Sequence, residues 1–219
     1  MVKIGVVLSG CGVFDGAEIH ESVCVLLSLS RAGAEVICIA PDILQRHVVN
    51  HQTGEVASGE ERHVLVESAR IARGPVEVLE DFDVNSVDAL IFPGGFGVAK
   101  NLSDFAFNGT DCSIDPEVEK FVLKAYKLGK PLGFLCISPV IAAKVFGSDY
   151  MVGLTIGSDD ETAMAIESFG CKHIVVPSEE IYVDMENKIV SSPAYMSASS
   201  IDEIATGVDR LVGKVLSLV

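Results

Sequence analysis

No stretch of this chain is apolar for long enough to cross a bilayer. One targeting signal comes close: Leu8-Ser9-Gly10-Cys11 has the form of a lipoprotein cleavage box. The apolar run before it reaches only from Ile4 to Leu8, too short for a signal-peptide core. No membrane partner is expected, and the chain reads as cytoplasmic. Basic residues are scarce, with 16 Lys and Arg against 31 Asp and Glu, a formal net charge of −15. Neutralising phosphates takes clustered cations. The few present here are scattered, so nucleic acid is excluded as a partner and the acidic surface reads as a solubility feature. Closely spaced ligand pairs are absent too. None of the six cysteines (Cys11, Cys24, Cys38, Cys112, Cys136, Cys171) forms a CxxC, which argues against a disulfide framework and against zinc. Cys24 and Cys38 lie in apolar periodic segments and read as small core residues. With no repeat, low-complexity tract or linker, residues 1–219 are read as one domain, long enough to bury a core.

What the chain does have is apolar content: 49% hydrophobic residues and a mean hydropathy of +0.42, in keeping with strands covered on both faces. Strand and helix patterns alternate throughout. Strands are predicted at residues 3–9, 35–40, 87–92, 132–135 and 152–156, with shorter ones near 174–176, 181–183 and 188–190. Helices are predicted at residues 17–32, 65–72, 116–128, 139–146, 161–169 and 201–218. Residues 47–55 suggest a small hairpin excursion. The alternation predicts an α/β fold: a flavodoxin-like, mostly parallel sheet with helices on both faces. Ligands in such sheets bind beyond the carboxyl ends of the strands, where three loops (residues 9–16, 93–101 and 136–139) are expected to meet.

The segment Pro131-Leu132-Gly133-Phe134-Leu135-Cys136-Ile137-Ser138-Pro139-Val140 carries the chemistry. A buried strand ends at a cysteine, a small residue follows two positions later, and proline opens a helix. This predicts a nucleophile elbow at Cys136, with the helix N-terminus favouring a thiolate. Phe134 is bulky where such turns usually carry a small residue. Gly94 and Gly95 follow another buried strand. Without a Cβ, the Gly95 amide can approach a substrate oxygen, and with the Ile137 amide it is placed to form an oxyanion hole. Lys100 and Asn101 either line the same pocket or are solvated.

Gly10-Cys11-Gly12-Val13-Phe14-Asp15-Gly16 mimics a dinucleotide fingerprint in a looser spacing. Glu18 and Glu21 would repel the pyrophosphate it should attract, so no nucleotide cofactor is expected. Glu21 itself has two readings. It is a surface carboxylate complementing the helix dipole, or it is an acid/base group at the strand ends whose pKa is raised by burial and neighbouring charge. His20 and Cys11 are taken as structural, and no spacing pairs His47, His51, His63 or His173 with Cys136.

Residues 9–21, residues 93–102 (Pro93-Gly94-Gly95-Phe96-Gly97-Val98-Ala99-Lys100-Asn101-Leu102), residues 131–139, Leu154-Thr155-Ile156-Gly157 and Pro193-Ala194-Tyr195-Met196 together resemble the ElbB family, also called sigma cross-reacting proteins. That family belongs to the PfpI-like branch of the class I glutamine amidotransferase-like superfamily. The resemblance covers essentially the whole chain. It implies a homodimer, a bacterial cytoplasmic or organellar setting, and a named link to isoprenoid biosynthesis. The activity it implies is a cofactor-independent glyoxalase that turns glyoxal, a small aldehyde, into the hydroxy acid. By motif, Cys136 is then the nucleophile, Glu21 its acid/base partner, and Gly95 and Ile137 the oxyanion donors. Departures from the superfamily patterns narrow this further. His173 is not followed by an x-Glu, against a glutaminase. Ile137 stands where PfpI-type peptidases place histidine, and Thr155-Ile156-Gly157 lacks the histidine of other glyoxalase-type relatives. The alternative is a non-enzymatic redox-sensing or partner-binding protein with an oxidisable Cys136.

Overall fold

A computed structural model describes residues 1–219, with the side chain of Ser148 left aside. Strand β1 (Lys3–Val7) leads to helix α1 (Ile19–Arg31) and β2 (Glu35–Ala40). The expected excursion is a two-stranded hairpin, β3 (Val49–Asn50) with β4 (Glu55–Val56), followed by α2 (Val64–Ala72) and a short strand β5 (Glu77–Val78). Then come β6 (Ala89–Phe92), the short helices α3 (Phe96–Lys100) and α4 (Phe105–Asn108), α5 (Pro116–Lys127), β7 (Leu132–Leu135) and α6 (Pro139–Tyr150). The chain ends through β8 (Gly153–Leu154), α7 (Asp160–Ser168), β9 (Lys172–His173), β10 (Tyr182–Asp184), β11 (Ile189–Ser192) and α8 (Ile201–Leu218).

Seven strands form the central sheet in the order β10-β11-β7-β6-β1-β2-β5. All its pairings are parallel except that of β10 with β11. Helices α1, α2 and α8 pack on one face and α5 and α6 on the other, which is the flavodoxin-like architecture. The continuous apolar run of β1 follows from that double cover. Ile4, Val6 and Leu8 face the α1/α8 layer, whereas Val7 faces the α5/α6 layer. Gly5 leaves room on the α5/α6 side, where a Cβ would sit 2.6 Å from Leu90 and 2.9 Å from Ile39. Strand order reverses between β1 and β6, so the loops after β1, β6 and β7 open on one side of the sheet, where ligands are expected.

Two segments depart from the sequence reading. The expected strand at 152–156 shrinks to Gly153–Leu154, paired with Lys172–His173 outside the central sheet. Its continuation is lost because side chains take the ladder donors. The Thr155 amide donates to Ser191 Oγ (2.9 Å) and the Ile156 amide to His173 Nε2 (3.3 Å). Residues 93–101, read as a loop, contain helix α3. Phe134 does not crowd the elbow. It points into the α5/α6 layer and stacks on Phe92, with ring centroids 4.9 Å apart. Gly133 instead faces α8, where its bare Cα admits Leu211 and Val215.

Candidate active site

Cys136 leaves β7 with φ 59°, a left-handed conformation that a non-glycine residue keeps only when its surroundings enforce it. The enforcement is a set of hydrogen bonds. The Cys136 amide donates to the Ser192 carbonyl (3.0 Å) and the Ser138 amide to the Leu135 carbonyl (2.9 Å). Ser138 Oγ accepts from the Leu135 amide (2.8 Å) and donates to the Phe92 carbonyl (2.7 Å). The small residue two positions after the cysteine is therefore a buried staple between β7 and the end of β6. Pro139 then opens α6, where its missing N–H costs nothing.

Glu21 reaches the same spot through a diverted helix cap. Glu18 caps α1, its Oε2 accepting the Glu21 amide at 2.7 Å. In a reciprocal capping box, the glutamate at Glu21's position would bond back to the capping residue's amide. Here the Glu18 amide donates instead to the Gly94 carbonyl (2.9 Å). The freed Glu21 carboxyl turns inward and is fully buried. It accepts from the Gly94 amide (2.8 Å, Oε2) and the Tyr195 amide (3.2 Å, Oε1), and shares a side-chain hydrogen bond with Cys136. Of the two sequence readings of Glu21, the exposed surface carboxylate is excluded.

The electrostatics correct one expectation. A helix N-terminus was expected to hold Cys136 as a thiolate, yet burial and the Glu21 charge push its thiol well above the ordinary cysteine range. Amides of Gly95 and Ile137 donate to the sulfur and pull the other way, without prevailing. Burial, then the neighbouring Glu18 charge, raises Glu21 to about 7. Burial thus favours the neutral form of both groups, with the Glu21 carboxyl raised to about 7.

Above this pair lies a cleft of about 590 Å³. Cys136, Gly95, Ile137 and Glu18 form its inner part, and Phe96, Phe105, Phe107 and Met196 wall it. The three expected loops do meet here: the Phe96 and Gly97 amides donate to the Val13 and Gly16 carbonyls at 2.8 and 2.9 Å. Lys100 and Asn101 clamp these loops and do not line the cleft. Lys100 Nζ donates to the Phe14 carbonyl (2.8 Å), and Asn101 Nδ2 bridges the carbonyls of Ser9 and Asp15. Cys11 also lies off the cleft, half-buried against the α1/α8 layer. His20 is nearer than expected, with Nδ1 2.7 Å from the hydroxyl of Tyr195, a cleft residue. His173 cannot supply the missing histidine while its Nε2 is engaged by the Ile156 amide. Sequence reasoning overlooked Glu18, Gly94 and Tyr195 as site residues. The Glu18/Glu21 spacing of three was the available signal for the first.

No family model matches the chain. Curated relatives do. Over 225 residues it is 47% identical to the human glutamine amidotransferase-like class 1 domain-containing protein 3, mitochondrial, covering 99% of this chain and 83% of that protein. The chain belongs to the glutamine amidotransferase-like class 1 family. A zebrafish (Danio rerio) relative, ES1 protein, mitochondrial, is 36% identical over 210 residues, covering 89% of this chain and 77% of its own length. Among solved structures, an isoprenoid biosynthesis protein with an amidotransferase-like domain from Ehrlichia chaffeensis superposes with TM-score 0.92 at 37% identity, both chains covered in full. A DJ-1 superfamily protein from Salmonella typhimurium shares the fold at TM-score 0.58 and 19% identity, covering 99% of this chain and 95% of its own.

Proposed function

We propose that this amidotransferase-like protein is a cofactor-independent glyoxalase-type enzyme, converting glyoxal and methylglyoxal to hydroxy acids through a hemithioacetal on Cys136. The observation that carries the reading is the buried Glu21 carboxyl hydrogen-bonded to Cys136, with the Gly95 and Ile137 amides converging on the same sulfur.

In this scheme ionised Glu21 takes the thiol proton as sulfur attacks the aldehyde carbon. The carbonyl pair moves to oxygen, held by the Gly95 and Ile137 amides, and the proton returns from Glu21 to give the hemithioacetal. Glu21 next removes hydrogen from that carbon. The electron pair forms an enediol with the neighbouring carbonyl, whose oxygen gains a proton. Reprotonation at the second carbon leaves a thioester, which water hydrolyses to the hydroxy acid and the free thiol. One carbon is oxidised as its neighbour is reduced, so no external oxidant enters. Burial, which keeps the resting thiol protonated, makes Glu21 the activating group in place of the helix dipole.

The small aldehyde partner and the homodimer implied by the ElbB resemblance belong to this reading. Cytoplasmic and mitochondrial settings both fit it. Among the described residues no helix is long and apolar enough to cross a membrane, and the human and zebrafish relatives carry "mitochondrial" in their names. Redox sensing draws no support from a thiol held protonated and 8% exposed. Purified Cys136→Ala protein should lose glyoxal turnover by at least about 10³-fold, followed as glycolate formation. Turnover at the original rate would sink the scheme.

A further inference from the structure

We infer that the outer part of the cleft is an apolar subsite for a substrate side group, so that the chain favours uncharged aryl- or alkyl-substituted α-oxoaldehydes and rejects anionic ones. The inference rests on the proposed attack of Cys136 on an α-oxoaldehyde, and it concerns what lies beyond the reacting carbons.

Size is the first argument. The cleft holds about 590 Å³, within the range of roughly 300–1,000 Å³ that encloses ligands much larger than a two-carbon dialdehyde. Glyoxal bound at Cys136, Gly95 and Ile137 would leave most of it unfilled. The nature of the walls is the second. The Phe96, Phe105, Phe107, Ala99 and Met196 side chains among the cleft's lining are built of carbon and sulfur, and Thr162 and Tyr195 are the uncharged residues that add hydroxyls. Phe96 and Phe107 remain 49% exposed. Aromatic surface left bare beside a reactive group marks a site awaiting an apolar partner.

Charge is the third argument. Glu18 stands at the inner wall, buried, and Glu161 at the exposed rim. Glu21 lies behind the cysteine. No Lys, Arg or His side chain lines the cleft among the described residues. The Lys100 ammonium lies 5.2 Å from the Phe96 ring centroid but is hydrogen-bonded to the Phe14 carbonyl. An anionic substituent would meet two carboxylates in a partly desolvated space with no counter-charge.

Alkylation of Cys136 tests the subsite independently of turnover. Iodoacetamide, iodoacetate and N-benzyl-iodoacetamide each form a sulfur–carbon bond, expel iodide and release the thiol proton. Rates at Cys136, read by mass spectrometry of the intact protein with peptide mapping, are divided by rates with N-acetylcysteine at the same pH. On this normalised scale the benzyl reagent should react about tenfold faster than iodoacetamide, and iodoacetate about tenfold slower. Phe107→Ala should shrink the benzyl advantage, and Glu161→Gln at the rim should lift the iodoacetate rate. Equal normalised rates for the three reagents would overturn the subsite. In parallel, kcat/KM should rise from glyoxal to phenylglyoxal and fall again for 4-carboxyphenylglyoxal. Selective alkylation without turnover of any aldehyde would keep the subsite and overturn the aldehyde assignment. Turnover with flat alkylation and flat kcat/KM would keep the activity and overturn the subsite.

Discussion

Glu21 shows how one carboxyl is tuned by position alone. Burial raises it from an ordinary 4.5 to about 7, so between those pH values the folded protein binds a proton that the unfolded chain has released. Stability therefore falls as pH rises from about 4.5 through about 7. Glu21→Gln removes this contribution, so its melting temperature should decline less between pH 5 and pH 8 than that of the wild type. A parallel decline in the two proteins would show that Glu21 does not titrate in this range. Activity should run the other way. In the proposed scheme the ionised carboxyl accepts the thiol proton, so kcat/KM of the wild type should climb through about pH 7. From sequence, Cys136 was legible because a strand, a small residue and a proline lie consecutively. Glu21 was ambiguous because its inward turn depends on the Glu18 amide choosing the Gly94 carbonyl, 73 positions after Glu21.

At the scale of elements, the site is the meeting of α1, the β6–α3 turn and the elbow between β7 and α6. Gly94 is where they touch. A Cβ there would lie 2.8 Å from Glu21 Oε2 and 3.0 Å from Cys136 Sγ, and closer still to the cysteine's own Cβ. Gly94→Ala should cut both turnover and alkylation of Cys136 by at least about tenfold and lower the melting temperature, since the pinned Cys136 backbone must shift to relieve the overlap. Unchanged alkylation would mean that the Glu21–Cys136 contact tolerates displacement. The long amphipathic helices and buried strands were legible because their apolar periods are sustained. Helix α3 was not. Five residues with a glycine in second place carry no measurable period, and the Phe96 and Gly97 amides are held by Val13 and Gly16, far away in the chain.

For the molecule as a whole, the net charge of −15 is a uniform burden on the compact state. Raising ionic strength from about 0.01 M to about 0.15 M shortens the Debye length from roughly 30 Å to roughly 8 Å. The melting temperature should rise by a few degrees, read by calorimetry. A flat response would indicate that local ion pairs such as Lys3–Glu35 and Arg70–Glu67 already balance the repulsion. The sequence by itself determined the alternating α/β order, the doubly covered sheet and the elbow cysteine, because each is written in adjacent residues and short-range periods. Tertiary structure alone decided that Cys136 and Glu21 are buried side by side and that aromatic side chains line the cleft above them. Burial and the convergence of loops distant in sequence set those properties, and neither has a local signature.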